Sequence, residues 1–320
     1  MLRALALSLT LFLPLAVKAE APSASDLLQQ MAHASRSLDY QGRFLYQFGA
    51  EVSTMDIRHA VIDGKEYQRL THLDGRLVEV LRRGDEVLCL HPDGSLTRLA
   101  HDQGGPFNLG ERLARDVPEQ YNVLVDGDSR VAGRIATVLR VAPLDTHRYG
   151  YRLWLDDDSH LLLKSETVDG SGVALERVEF VTLALAPRLS QSDFAAPPSS
   201  HENALQEVPG NTPDAHLALE AQWLPGGFEA MQEDWRRSEK NRAPVAAQGY
   251  SDGLATFTVF VEAVSDGSVE EGVSRVGPTV AVSRRLTAPS GAYLVTLVGE
   301  IPQATAERVI GNIRVHDNRH

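Results

Sequence analysis

Within residues 39–185, apolar and polar side chains alternate along short runs that Asp-Gly pairs separate. This pattern limits the fold more than any other feature of the sequence. Successive side chains of a strand point to opposite sides, so this alternation is typical of half-buried strands. Asp-Gly pairs adopt the positive φ angles that tight hairpin turns require. The pattern therefore predicts an antiparallel meander. One face of its first strand is aromatic and carries Tyr40, Phe44, Tyr46 and Phe48.

The predicted meander has enough strands for its sheet to curve strongly. An open, twisted sheet of nine or ten strands leaves two bare edges, so we expect partial closure into a half-open barrel. A helix capped by Ser23 or Ser25 and a short helix over 111–117 would cover its open side. The four aromatic residues are candidate ligand-binding residues of an enclosed apolar cavity. Alternatively, they only pack against the helices. The strands are expected at 39–49, 52–62, 66–73, 77–82, 86–91, 121–125, 134–141, 149–155, 161–168 and 174–185.

The N-terminal segment, residues 1–19, has the order of a secretory signal peptide. A basic start precedes the apolar run 4–17, and Val17 and Ala19 are the small residues expected before a cleavage site. The run is shorter than the roughly 20 apolar residues needed to cross a bilayer. We therefore predict cleavage before Glu20 and export of a soluble protein to the bacterial periplasm.

The cysteine content and the net charge exclude several classes of protein. Cys89 is the only cysteine and lies far from the predicted cleavage site. An internal disulfide is therefore excluded, as is the lipid-modified cysteine of a lipoprotein, and Cys89 is expected to be a small buried hydrophobic residue. The formal net charge is -12 at pH 7, so the basic surface typical of nucleic-acid-binding proteins is not expected.

Residues 189–215 are rich in proline and polar side chains, which is typical of a linker. We expect this linker to separate a large domain, 20–188, from a smaller α+β domain, 216–320. The smaller domain is expected to end in a helix that begins at Pro302. Its four predicted strands lie at 216–223, 255–263, 279–286 and 292–298.

A search for catalytic and metal-binding patterns finds none. The sequence lacks the common motifs of hydrolases, nucleotide-binding proteins and zinc enzymes. Its eleven histidines are scattered, and His59 is expected to be a surface or hydrogen-bonded core residue. The aspartates at 156–158 favour a solvated turn over a calcium loop. We therefore expect a chain without enzymatic activity, cofactor or metal.

Several segments of the sequence, taken in order, resemble a single family. In the large domain they are DYQG at 39–42, RVAGR at 130–134, RYGYRLWLD at 148–156 and LLLKS at 161–165. In the smaller domain they are WLPGGF at 223–228, YSDGL at 250–254 and VGEIP at 298–302. These segments resemble the N- and C-terminal domains of the MucB/RseB family, and the resemblance covers essentially the whole chain after the signal peptide.

The resemblance implies both a fold and a function. It implies an α+β protein with a LolA/LolB-like half-open antiparallel β-barrel, covering helices and a smaller C-terminal α+β domain. Members of the family are periplasmic negative regulators of the envelope-stress sigma factor. They bind the periplasmic part of an anti-sigma factor of the RseA/MucA type and shield it from the site-1 protease. Lipid or lipopolysaccharide fragments are implied as the releasing signal, and alginate production as an output in Pseudomonas-like bacteria.

The resemblance does not identify which residues of this chain would contact an anti-sigma factor. Trp223, Phe228, Tyr250, Arg284 and Arg285 are candidates, because aromatic and arginine side chains are enriched at interfaces and arginine binds carboxylates and phosphates. The alternatives are core positions for the aromatic residues and a solvated strand end for the arginines. A periplasmic lipid or lipoprotein carrier is the alternative function, and a homodimer is compatible with a two-domain regulator.

Overall fold

The computed structural model describes residues 22–75, 78–99, 109, 112–113, 117–202, 217–231, 234–237, 244–264, 271–288 and 291–317. The predicted signal peptide lies outside the described residues, and so does most of the helix predicted over 111–117. Within the described part of the chain, no helix is long and apolar enough to cross a membrane.

Helix α1 spans Ala24–Ser37 and begins where the sequence predicts it. The Ser23 side chain accepts a hydrogen bond from the Asp26 backbone N–H, and the Asp26 carboxylate accepts one from the Ser23 backbone N–H. This reciprocal cap satisfies donors that the first turn of a helix leaves unpaired. Leu27, Leu28 and Met31 form a buried stripe that packs on the large sheet.

The large domain is built on a twelve-stranded sheet. Its strands are β1 Tyr40–Phe48, β2 Glu51–Ile62, β3 Lys65–His72, β4 Glu79–Arg83, β5 Glu86–Leu90, β6 Ser95–Leu99, β7 Tyr121–Val131, β8 Arg134–Pro143, β9 Gly150–Asp156, β10 Leu162–Val168, β11 Ala174–Leu185 and β12 His201–Glu202. Two antiparallel meanders, β1 to β6 and β7 to β11, join where β1 pairs with β11. The predicted antiparallel meander is therefore confirmed, and β12 and β7 form the edges of the sheet.

Tight turns join these strands where the Asp-Gly pairs predict them. Asp63 and Gly64, between β2 and β3, have φ angles of 53° and 74°. Two successive positive φ angles are the geometry of a two-residue hairpin turn that matches the twist of its strands. The next Asp-Gly pair places Gly75 at φ 67°.

Part of the predicted linker is packed on the large sheet. A short 3₁₀ helix spans Gln191–Phe194, and Phe194 is fully buried against Tyr67, with ring centroids 5.6 Å apart. Strand β12 then pairs in parallel with β6. Neither β6 nor β12 is predicted from the sequence. A polar, proline-rich composition indicates a loop, but a single anchoring aromatic residue can still bind that loop to the core.

The smaller domain contains more strands than the four that the sequence predicts. They are β13 Leu217–Ala221, β14 Glu229–Ala230, β15 Asp234–Arg237, β16 Pro244–Ser251, β17 Thr256–Ala263, β18 Gly272–Val276, β19 Thr279–Ala288, β20 Gly291–Gly299 and β21 Ile313–Asp317. The main sheet has the order β14-β16-β17-β20-β19-β18, with β15 also on β16, and β13 pairs with β21. Strand β18 escapes prediction because every residue of this edge strand is exposed, so it has no buried face.

Helix α2 spans Gln303–Ile310 and begins directly after Pro302, as predicted. Val309 and Ile310 pack into the core of the smaller domain together with Val259 and Leu297. A helix of this length is not stable alone, so its apolar face must be buried to hold it in place.

Candidate functional site

The four aromatic residues of β1 lie on one face of the strand. Tyr40 and Phe44 are buried, and the Phe44 ring packs on Phe180 of β11 with centroids 5.8 Å apart. Toward the end of the strand, Tyr46 and Phe48 are only half-buried. This aromatic face is therefore closed core at one end and accessible at the other.

A partly buried carboxyl group lies at the accessible end of the aromatic face. The Tyr46 hydroxyl donates to Oε1 of Glu176 at 2.9 Å, and the Thr167 hydroxyl donates to Oε2 at 3.2 Å. Burial raises the pKa of Glu176, the negative charge of Glu300 adds to the rise, and the two hydrogen bonds oppose it. Since Glu300 belongs to the smaller domain, its charge acts on the interior of the large one.

The smaller domain enters the core of the large domain at the turn between β16 and β17. Leu254 in this turn is fully buried and clusters with Leu28 and Met31 of α1 and with Leu153 of β9. The Arg112 guanidinium donates from Nη1 to the Leu254 carbonyl at 2.6 Å. The hydrophobic core of the large domain is therefore incomplete without a residue from the smaller one.

A buried polar group accompanies Leu254. Asp252, from the same turn, pairs with Arg148 of the loop between β8 and β9, and neither side chain is exposed. Arg148 also binds the Asp145 carboxylate at 2.9 Å and donates to the Gly226 carbonyl at 2.6 Å. The Tyr121 hydroxyl donates to Asp252 at 3.4 Å. Three of these four contacts cross between the domains, so the group fixes how the domains sit against each other.

Further contacts extend the junction along the start of α2. The Tyr149 hydroxyl donates to the Ile301 carbonyl at 3.1 Å. His147 Nδ1 lies 3.1 Å from the Thr305 hydroxyl, and the His147 ring meets the edge of Trp223 with centroids 5.3 Å apart. The loop between β8 and β9 therefore contacts the smaller domain through three consecutive residues.

Two glycine turns meet at another point of the junction. Gly49, after β1, has φ 63°, and Gly277, after β18, has φ 57°. A Cβ atom on Gly277 would lie 3.1 Å from the backbone nitrogen of Gly49 and 3.2 Å from the Leu175 carbonyl. Glycine is favoured at both turns because it adopts positive φ freely and lets the two backbones approach.

Two profiles of one family match the chain in sequence order. The MucB/RseB N-terminal domain matches residues 23–198, and the MucB/RseB C-terminal domain matches residues 214–314. The chain belongs to the MucB/RseB family. Both members of the Arg148–Asp252 pair and Leu254 fall within these ranges, so the junction is built from the two family domains.

Curated relatives in the MucB/RseB family match the chain over nearly its whole length. The sigma factor AlgU regulatory protein MucB of Pseudomonas aeruginosa is 38% identical over 296 residues, which cover 92% of each chain. The sigma-E factor regulatory protein RseB of Haemophilus influenzae is 30% identical over 318 residues, covering 97% of this chain and 96% of the relative. The RseB protein of Escherichia coli K12 is 28% identical over 306 residues, covering 92% and 91%.

Solved structures of MucB share the fold over both domains. A crystal structure of MucB in complex with MucA(peri) superposes with a TM-score of 0.75 at 36% identity, covering 92% of this chain and 99% of that one. Another crystal structure of MucB gives a TM-score of 0.60 at 34% identity, covering 91% of this chain and 97% of that one. The α+β fold with a large antiparallel sheet and a smaller sheet domain is therefore that of MucB/RseB proteins.

The aromatic residues predicted to contact a partner occupy different environments. Phe228 and Tyr250 are buried in the core of the smaller domain, where their rings lie 5.2 Å and 5.0 Å from that of Phe257. This is the core alternative that the sequence left open. Trp223 is half-buried at the domain junction, with the Arg308 guanidinium 3.8 Å from its ring centroid.

The two arginines predicted to contact a partner lie on β19 and are exposed. The Arg285 backbone N–H donates to the Glu271 carboxylate at 2.7 Å. Arg284 approaches the end of α2, where one of its Nη atoms lies 3.2 Å from the position that a Cβ on Gly311 would take.

Of the three consecutive aspartates, Asp157 and Asp158 lie in the turn after β9, but Asp156 ends the strand and is not solvated. Asp156 has 1% exposure, and Arg134 donates to both of its oxygens, at 2.6 Å and 2.8 Å. Although burial opposes it, the hydrogen bonds from Arg134 and Ser159 hold the pKa of Asp156 below its usual value. The prediction of a solvated turn is therefore wrong for Asp156, because an arginine from the preceding strand compensates its burial.

The other residues considered for catalysis or metal binding, His59 and Cys89, are buried or partly buried in the fold. His59 is buried, with Nδ1 2.8 Å from the Leu38 carbonyl and its ring stacked on Tyr40 at 4.8 Å. Cys89 is a free, partly buried thiol, and burial raises its pKa. Among the described residues, no group of three or more side chains has the composition and geometry to hold a metal ion.

Sequence reasoning missed the residues that join the domains. Arg148 and Asp252 are 104 positions apart, and nothing local in the sequence links them. Asp252-Gly253 indicates only a polar turn, so burial of its aspartate is unexpected. Two signals were available: Leu254 is an apolar residue directly after a polar turn, and Arg148 and Asp252 both lie in segments that carry the family resemblance.

Proposed function

We propose that this chain is a periplasmic regulator without catalytic activity, which binds the periplasmic part of a membrane-spanning anti-sigma factor and shields it from the site-1 protease. The observation that carries the proposal is the match of both domains to the MucB/RseB profiles, in one interlocked unit. The relatives are named as regulators of AlgU and sigma-E, and MucB has been crystallised with MucA(peri). The chain would thereby restrain the envelope-stress sigma factor and, in Pseudomonas-like bacteria, alginate production.

The junction between the domains supports steric shielding. A protein that blocks a protease by occupancy has to hold its partner in one arrangement, and a preorganised surface loses less entropy on binding. Domains joined by small polar interfaces move relative to each other by default. Here the buried Leu254 and the Arg148–Asp252 pair oppose such motion. Both domains can then present a single surface to the anti-sigma factor.

Release by a lipid or a lipopolysaccharide fragment is part of the proposal. The half-buried end of the aromatic face adjoins the smaller domain, since Phe48 Cδ1 lies 3.3 Å from the position that a Cβ on Gly277 would take. An acyl chain bound at Tyr46 and Phe48 would therefore meet the domain junction. Burial contributes about 0.8 kcal/mol per methylene, so a dozen contribute roughly 10 kcal/mol before entropic costs. That is sufficient to displace a partner held by a few kcal/mol.

A calorimetric titration tests the proposal directly. The mature chain is titrated with the periplasmic segment of MucA, before and after loading with an acylated lipopolysaccharide fragment. We expect saturable binding that weakens after loading. In parallel, the bound segment should resist cleavage by the site-1 protease. Absence of binding by the unloaded chain would contradict the proposed regulatory function.

The role of the aromatic face in release needs variants that fold. Phe44 is fully buried, so the half-buried Phe48 is the better position for a charged substitution. Phe48→Asp is expected to abolish the effect of lipid loading and to leave binding of the MucA segment intact. Gln41→Asp, at an exposed position of the same strand, is the matched control. If both variants respond to lipid like the unmodified chain, the aromatic face is not the lipid site.

The alternative function, a lipid or lipoprotein carrier, requires only the large domain. The position of Leu254 counts against it, because removing the smaller domain would leave a gap in the core of the large one. A carrier also gains nothing from a buried ion pair to a second domain. Retention of lipid transfer by the large domain alone would favour the carrier.

A further inference from the structure

A cleft of about 690 Å³ lies between the two domains and is bordered by the edge strands of both sheets. From the large domain, Asp126 of β7 and Arg140 of β8 line it, followed by Arg152 of β9. From the smaller domain, Arg275 of β18 and Gln303 at the start of α2 line it. The cleft therefore collects guanidinium groups from both domains in a chain whose formal net charge is -12.

Two of these arginines face each other directly. Arg140 and Arg152 are register partners on β8 and β9. Like charges at directly opposed positions of neighbouring strands destabilise a sheet unless other charges compensate them. Among the residues that the structure describes, Asp126 is the acidic partner of Arg140, at 3.5 Å, and both of these side chains are about half exposed. The pair is thus only weakly compensated on the side of the cleft.

Glu166, the carboxylate that pairs with Arg152, also contacts other cations. Glu166 accepts from Arg152 at 2.8 Å, and it also lies 3.1 Å from the Lys164 ammonium group and 2.9 Å from Arg177. Glu179 also lies 3.3 Å from the Lys164 ammonium group and 3.9 Å from Arg177, so two carboxylates balance three positive charges. In addition, Nε of Arg152 is buried without a hydrogen-bond partner. Arg152 retains both positive charge and an unused donor.

Arg275 has one nearby acid in the cleft, Asp169. Its Nε donates to the Gly277 carbonyl of its own turn at 3.1 Å, and among the described residues it forms no ion pair. A guanidinium group has five N–H donors, so most of its capacity is unused. Asp169 accepts hydrogen bonds from Ser171 and Val173 of its own turn. The hydrogen bond from the Ser171 side chain is the main cause that holds the pKa of Asp169 below its usual value, and the positive charge of Arg275 adds to it.

We propose that this cleft binds an acidic peptide segment, whose carboxylates pair with Arg140, Arg152 and Arg275. This inference rests on the proposed function, because the segment would belong to the anti-sigma factor. The three guanidinium groups are interleaved with Asp126, Asp145 and Asp169, so a single multiply charged phosphate would meet repulsion. Carboxylates spaced along a chain can instead meet the cations one by one. The exposed edge β18 offers backbone hydrogen bonds to an extended peptide.

Charge reversal in the full mature chain tests the inference. Arg275→Glu and Arg140→Glu are titrated with the periplasmic segment of MucA, and each is expected to bind about threefold to tenfold more weakly than the unmodified chain. The affinity of the unmodified chain should fall as salt is raised, and that of the variants should fall less. Arg130→Glu is the matched control, because Arg130 is exposed on β7 and does not line the cleft. Arg275→Gln supplies a neutral variant that does not add a charge.

The outcomes separate this inference from the proposed function. If the unmodified chain binds the segment and the cleft variants bind equally well, the cleft inference is overturned and the proposed function stands. If the unmodified chain does not bind the segment, a glutamate-rich decapeptide becomes the probe. Saturable binding of that peptide, lost in Arg275→Glu and kept in Arg130→Glu, supports the cleft. Its failure to bind, or binding of inorganic phosphate alone, overturns it.

Discussion

Arg148 and Asp252 form an ion pair with no exposed surface, and each comes from a different domain. Their pairing places the turn that carries Leu254 inside the large domain. Asp252 also accepts hydrogen bonds from the backbone N–H groups of Leu254 and Ala255, so one carboxylate both shapes the turn and anchors it. The mutual orientation of the domains therefore depends on a few buried polar atoms.

Removing one member of this pair should be costly. Asp252→Ala removes the fully buried counter-charge of Arg148 and leaves only the partly exposed Asp145, so it is expected to destabilise the chain by about 3–5 kcal/mol. Asp145→Ala removes another carboxylate from Arg148, but this one is partly exposed, so we expect a loss of about 1 kcal/mol or less. Urea unfolding measures both. Equal losses in the two variants would contradict the role assigned to the buried pair.

Truncation of Leu254 should destabilise the large domain, although Leu254 belongs to the smaller one. Leu254→Ala is expected to cost about 2–5 kcal/mol, as for other fully buried leucines. Hydrogen exchange should accelerate in α1, because Leu28 and Met31 pack in the same cluster. Leu144→Ala, at a position that is 68% exposed, should change stability by less than about 0.5 kcal/mol. Unchanged exchange in α1 would argue against an interlocked core.

The partly buried carboxyl group of Glu176 should make stability depend on pH. Because its pKa is raised in the folded chain, the native state holds this proton more tightly than the unfolded state does. Its contribution is therefore present at acidic pH and is lost as pH rises through the folded pKa. Glu176→Gln removes the charge and keeps an acceptor for Tyr46, so it should raise the Tm at neutral pH by about 2–4 °C.

A series of Tm measurements between about pH 4 and 8 checks this expectation. The advantage of Glu176→Gln should grow as pH rises. Glu179→Gln, on the same strand, is the control, because Glu179 lies 3.3 Å from the Lys164 ammonium group and should lose stability instead. The same Tm change in both variants at every pH would refute the assignment.

A side chain at Gly277 should destabilise the contact between the turns that contain Gly49 and Gly277. Gly277→Ala adds a Cβ at a positive φ and within 3.3 Å of the Gly49 nitrogen, the Leu175 carbonyl and Phe48, so we expect a loss of about 1–3 kcal/mol. Gly64→Ala also places a Cβ at a positive φ, but with nothing within 4 Å. It should cost only about 1 kcal/mol, and thermal unfolding compares the two. A cost no larger at Gly277 than at Gly64 would rule out close contact between the turns.

Much of the large domain could be predicted because its signals are local. Alternation identifies the faces of β1, the Asp63-Gly64 pair identifies a hairpin, and Ser23 with Asp26 marks the start of α1. Each depends on residues a few positions apart, whose geometry the backbone dictates. The family resemblance was likewise readable, because it rests on short segments in a fixed order.

What the sequence alone determined is the meander, its aromatic face and the division into two domains of one family. Only the tertiary structure decided that Leu254 completes the core of the other domain, that Arg148 finds Asp252, and that Arg140, Arg152 and Arg275 line a single cleft. Burial and charge pairing depend on which surfaces meet after the chain has folded. Contacts between residues about a hundred positions apart produce no periodic pattern in the sequence, so they cannot be predicted from it.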